Sequence, residues 1–312
     1  MAGVFLGDIM KYIKTALSFP EQAELLISRG LIVEDRNELE TYLSQINYYR
    51  LSGYLYPFRL IDSFTGDESF KPGTTFRMIR NLYEFDRRLR LLFMNAIERI
   101  EVAILRTQIV EVNTSLYGPF GYTEIKNYRP HFNNYEYMKL MNDISEDENR
   151  SYEGFIRHYR TKYDEDKYLP LWIAVELMSF GQALTLYKNQ NSAVKQVISR
   201  KYRLFPKVLD SWLLTIGAIR NSCAHHNRLW NRPLPLKPML PDQKYDSRWY
   251  VPNQIPDDRL YTAMTIINYL LTFIAPGDHW KNSLVELLTA YPTIPKNSMG
   301  IPEDWQASPL WN

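Results

Sequence analysis

Residues 76–112 read FRMIRNLYEFDRRLRLLFMNAIERIEVAILRTQIVEV, a stretch with no glycine or proline. Ile79, Leu82, Phe85, Leu89, Leu92, Phe93, Ala96, Ile100, Ala103, Ile104 and Val110 step through it at the three- and four-residue spacing of one helical face. The pattern predicts one long helix, the spine of a hydrophobic core, capped by Thr74 or Thr75.

Toward the N-terminus, Ser18 with Glu21 and Pro20 forms a helix-start signature, and Gly30 is placed to stop that helix. Asp35 with Glu38 repeats the signal ahead of Leu39, Tyr42, Leu43 and Ile46, so residues 1–47 are expected as short helices. In 47–59 (NYYRLSGYLYPFR), tyrosines meet Gly53 and Pro57, which suits either a strand or a packed extended turn. A loop is expected over 64–75.

Toward the C-terminus, 117–130 breaks the spine, and a polar helical pair is expected at 131–163, interrupted by an acidic turn at 143–148. Pro170 opens a helix that continues to Leu186, and 207–219 forms another. Six prolines between 232 and 256 exclude regular helix and read as an extended surface arm. Asp257 is placed to cap a helix to residue 274, 279–290 forms a last one, and the tail after Pro292 reads as disordered. The expected fold is an all-α helical bundle: an accessory region at 1–75, a main domain at 76–292 containing the proline-rich insertion, and a tail at 293–312.

With 312 residues and 45% hydrophobic content the chain can bury a sizeable core. Its one cysteine, Cys223, excludes a disulfide framework and a cysteine-built zinc site. The apolar start is interrupted by Asp8, Lys11 and Lys14, unlike a secretory signal. The longest apolar stretch, 260–275, is shorter and more polar than the roughly 20 residues of a membrane span. These features predict a cytoplasmic protein with no membrane contact. The net charge is only +2, yet 177–241 holds ten basic residues against the single acid Asp210. That segregation favours a polyanion such as nucleic acid, unless counter-charges arrive in three dimensions.

The densest polar cluster is 220–230 (RNSCAHHNRLW), directly after the apolar 207–219. Asn221 and His225, four apart, share a helical face, whereas Arg220 and His225 lie about 140° apart around the axis. The Arg220 guanidinium is long enough to reach round toward the imidazole, more easily with a helix break near Gly217; alternatively, two facing copies of the cluster complete a shared site. Imidazole titrates near neutrality and suits proton transfer to or from a ribose hydroxyl. An always-charged guanidinium suits the phosphate, and Asn221 is placed to orient the imidazole. His225, His226 and Cys223 do not make three convergent metal ligands, so neither metal nor cofactor is expected.

The cluster resembles the Arg-x4–6-His signature of HEPN-fold ribonucleases. The chain further resembles bacterial abortive-infection proteins of the AbiD/AbiF type through 21–31 (EQAELLISRGL), 47–59, 82–106, 169–181 (LPLWIAVELMSFG) and 219–231. The resemblance implies a HEPN-like helical bundle, usually dimeric, and a metal-independent endoribonuclease acting as an antiphage toxin. It places Arg220, Asn221 and His225 in the active site, with His226 as a further candidate, and implies that a small non-coding RNA is a possible regulator. The alternative is a non-catalytic RNA-binding protein on the same scaffold. Glu98 and Glu101 on the long helix are candidates for supporting the cluster, against the reading that they form intrahelical ion pairs. Glu176, on an otherwise apolar helix, is similarly open. Candidate RNA contacts are Arg50, Arg59, Lys195, Arg200, Lys201, Arg203, Lys207, Arg228 and Arg232. The tyrosines of 47–59 either stack exposed bases or form a buried seam; burial is favoured, with Arg50 and Arg59 as the exposed part.

Overall fold

The computed structural model describes residues 15–62, 68–163 and 166–312. The readings of the chain start and of part of the 64–75 loop therefore lie outside the described residues. Among the described residues the fold is all-α apart from one small sheet, and the chain divides into two compact units, Met1–Glu84 and Phe85–Asn312. The division falls inside a helix.

In the first unit, α1 (Phe19–Ser28) starts where the Ser18 amide donates to the Glu21 carboxylate at 2.7 Å. α2 (Arg36–Gln45) starts on the Asp35 carboxylate, which accepts from the amides of Asn37 and Glu38. Residues 48–55 are neither strand nor extended turn but helix, α3 (Tyr48–Leu55). Asn47 caps it through the Tyr49 amide, and Leu51, Tyr54 and Leu55 bury one face at helical spacing. A short 3-10 turn holding Pro57 leads into β1 (Arg59–Ile61), antiparallel to β2 (Glu68–Phe70) with Arg59 opposite Phe70.

The expected spine forms with Thr75 as its cap, and it is longer than 76–112. α4 (Phe76–Ile100) continues through a π-helical segment, Glu101–Gln108, into α5 (Ile109–Tyr117), which ends at Gly118 with φ +77°. α6 (Asn134–Arg150) runs unbroken through the expected acidic turn, because Leu140, Met141 and Ile144 bury a continuous face and the acids occupy the other. α7 (Gly154–Lys162) follows. The helix expected from Pro170 to Leu186 is two: α8 (Leu171–Leu177) and α9 (Phe180–Asn189). Ser179 interrupts it, forming a capping box with Gln182. α10 (Ser192–Lys201) and α11 (Pro206–Ala224) complete this series.

The proline-rich segment is not a free arm. Its carbonyls at Leu236 and Met239 accept from Thr215 and Trp212 of α11, and Trp249 is fully buried against Trp212 at 5.0 Å between rings. α12 (Leu260–Ile274) begins after Arg259 instead of on Asp257, which pairs with Lys237. α13 (Trp280–Ala290) starts on the Asp278 carboxylate. The tail after 292 is packed: Trp311 stacks on Tyr261 and donates to Thr265, and Asn268 donates to the Leu310 carbonyl. Among the described residues no helix is long and apolar enough to cross a membrane.

Candidate active site

The 220–230 cluster lies at the C-terminal end of α11. There is no break at Gly217; the helix is continuous, and Gly217 instead allows close approach to α9. A Cβ there would sit 2.8 Å from the Phe180 ring and 3.2 Å from Leu184. One turn later, the Arg220 guanidinium lies over the same Phe180 ring, 5.8 Å from its centroid. Arg220 Nε is buried and finds no acceptor among the described residues. Asn221, His225, His226 and Asn227 are exposed.

The helix ends in a tight two-bond closure. The amide of His226 donates to the Cys223 carbonyl at 3.0 Å and that of Asn227 to Ser222 at 2.8 Å. The closure forces the residue between them left-handed, and His226 has φ +56°. α1 ends in the same pair of bonds, Gly30 to Ile27 and Leu31 to Leu26, with glycine at that position and φ +91°. A side chain there costs roughly 1–2 kcal/mol that glycine avoids. The imidazole is thus carried at a strained position, as functional side chains often are.

The segment after the closure is anchored from α4. Asp86, 0% exposed, accepts from the amides of Leu229 and Trp230 at 3.1 and 2.7 Å and pairs with Arg90 at 2.6 Å. Burial pushes the Cys223 thiol up to about 12, so near neutrality it is neither a nucleophile nor a ready metal ligand. No group of three His, Cys, Asp or Glu among the described residues is placed to hold a metal ion.

The π segment packs against α9. Arg106 pairs with Glu101 at 2.6 Å and donates to the carbonyls of Val175 and, at 3.0 Å, Met178. It thereby closes the C-terminus of α8 just where Ser179 starts α9. Glu101 is occupied by this pair, Glu98 is exposed, and Glu176 faces solvent. The hydrogen-bonded carboxylate that reaches the cluster's segment is Asp86, which sequence reasoning missed. Its signal was present: Asp86 shares an apolar stripe with Leu82, Leu89 and Phe93, where an unpartnered carboxylate would be costly.

The candidate RNA contacts divide. Arg50 is exposed on α3, but Arg59 is half-buried against Glu68 at 3.3 Å. Lys195 is buried, paired with Asp210 at 2.6 Å and lying over the Tyr187 ring. Burial raises the Asp210 carboxyl above its ordinary value, and Lys195 partly offsets this. Lys201 pairs with Glu111, and Arg203 lies over Phe273. Arg200, Lys207 and Arg232 are exposed, and Arg228 is half-buried.

Fold and site together define a helical protein that carries an arginine–histidine cluster on a strained helix end. The model of the Abi-like protein family matches residues 41–231, more than half of the chain, and the protein belongs to that family. The match includes the whole helix end and its anchor Asp86. No curated protein and no solved structure matches the chain. The family points to abortive infection, a phage defence, as the setting.

Proposed function

We propose that the protein is a metal-independent endoribonuclease of the HEPN type that acts as an abortive-infection toxin. The observation that carries this reading is the end of α11: a guanidinium whose buried Nε lacks an acceptor lies next in sequence to a polar, exposed Asn-x3-His-His segment. A buried donor without a partner is costly, and a phosphate oxygen supplies the acceptor it lacks. In the reaction, one imidazole takes the proton from the ribose 2′-hydroxyl, whose oxygen attacks the adjacent phosphorus. Arg220 offsets the charge growing on the phosphate oxygens. The bond to the 5′-oxygen breaks as a second imidazole protonates it, leaving a 2′,3′-cyclic phosphate and a 5′-hydroxyl. His225 is the first candidate for base, with Asn221 orienting it; His226, or His225 of a second copy in a homodimer, supplies the acid. A small non-coding RNA that occupies the same surface would restrain it.

The test is incubation of the purified protein with single-stranded RNA in EDTA. Cyclic-phosphate ends produced by the native chain, and lost in His225→Ala and Arg220→Ala variants of unchanged melting temperature, are the expected result. Retardation of the RNA without cleavage would replace the enzyme with a non-catalytic RNA binder.

A further inference from the structure

α9 has two occupied sides. Phe180 faces α11, whereas Gly181, Gln182 and Thr185 line a cleft of about 510 Å³ whose other wall is α6. Lining residues extend from Ser179 to Asn189, so the cleft follows the whole helix, about 15 Å at 1.5 Å per residue. It begins one residue from the ring that supports Arg220.

Its chemistry is mixed. Arg129, Lys139 and Lys188 bring three exposed cations, and Glu136 and Asp143 bring two carboxylates. Lys139, Lys188, Glu136 and Asp143 form no ion pair among the described residues. The only large apolar lining group is Leu140. Asn189 is 3% exposed; its Nδ2 donates to the Thr185 carbonyl at 2.9 Å, which leaves Oδ1 as a buried acceptor with no donor.

Cations alone would hold any polyanion. Acceptors set among them repel a phosphate unless the ligand also brings hydroxyl donors. The ribose–phosphate backbone carries both, an anion and a 2′-hydroxyl at every step, and DNA carries only the anion. We propose that this cleft grips a single RNA strand by its backbone, with phosphates at Arg129, Lys139 and Lys188 and 2′-hydroxyls donating to Glu136 and Asp143. The proposal rests on the reading of RNA as substrate and adds the site that tells it from DNA.

Anisotropy titrations of the full chain carrying His225→Ala, with RNA and DNA oligonucleotides of one sequence, test it. RNA is expected to bind about tenfold tighter, as for two or more hydrogen bonds. A Lys139→Ala/Lys188→Ala variant weakens both ligands. A Glu136→Ala/Asp143→Ala variant, altered only at solvent-accessible positions, weakens RNA about fivefold while leaving DNA unchanged or tighter. Charge alone predicts that removing two acids tightens both, and that outcome, or equal affinity for RNA and DNA at the start, overturns the proposal. The two readings fail separately. Native protein that leaves RNA uncut but keeps a cleft-dependent RNA preference removes the nuclease alone. Cleavage with a preference indifferent to the cleft variants removes only the cleft.

Discussion

The carboxylate of Asp86 accepts the backbone amide of Trp230 at 2.7 Å, joining the spine helix to the segment that follows the histidines. Both partners are buried, and the same carboxylate also accepts from Leu229 and pairs with Arg90. Asp86→Ala is expected to destabilise the protein by about 3–5 kcal/mol, since it removes one partner of a buried pair and strips two amides of their acceptor. Asp86→Asn, which keeps one acceptor oxygen, should cost less. Urea unfolding measures both, and equal midpoints for Asp86→Ala and native chain would show the anchor to be idle.

His226 gives a way to separate stability from activity. His226→Gly relieves a left-handed side chain, so the variant should be as stable as the native protein or more so, by up to about 1 kcal/mol. His226→Ala keeps the strain and gains nothing. If the imidazole transfers a proton, both variants lose RNA cleavage alike despite different effects on melting temperature. Undiminished cleavage by His226→Gly would assign the acid to His225 of a second copy.

Gly217→Ala would place a methyl group 2.8 Å from the Phe180 ring. The ring must move, and with it the surface on which Arg220 rests. Overpacking of this kind costs about 1–3 kcal/mol. The variant should also lower kcat for RNA cleavage more than it raises KM, because Arg220 is asked to act on the transition state. A variant that melts lower but cleaves at the native rate would uncouple Phe180 from catalysis.

The Cys223 thiol, pushed up to about 12 by burial, should resist iodoacetamide at pH 8 in the folded protein and react once urea unfolds it. The sign is fixed: a raised value keeps the thiol protonated across the working range. Rapid native-state alkylation would show that the helix end opens.

Local signals carried much of this fold. The Ser18–Glu21 and Asp35 caps, the Thr75 start and the apolar stripe of the spine all depend on neighbours within a turn, and all appear as expected. Placing the polar cluster at the end of an apolar helix was equally local. What escaped depends on distant partners. Asp86 looks like one charge among several in DRRLR until residues 229–230 return to it. The proline-rich segment and the tail are broken up by prolines before any periodicity can develop, and packing against α11 and α12 helps to bury Trp249 and Trp311. In the sequence Lys195 and Arg59 look like free cations, because Asp210 and Glu68 meet them only after folding.

The π segment also constrains the length of the chain. Its wider turns set the phase of α5 relative to the preceding turns of α4. Loss of a single residue between them would turn α5 by tens of degrees against α4. Arg106 would then leave the end of α8, and the α9 start that supports Phe180 would lose its brace. Homologous chains should therefore vary in side chains across this window far more readily than in residue number.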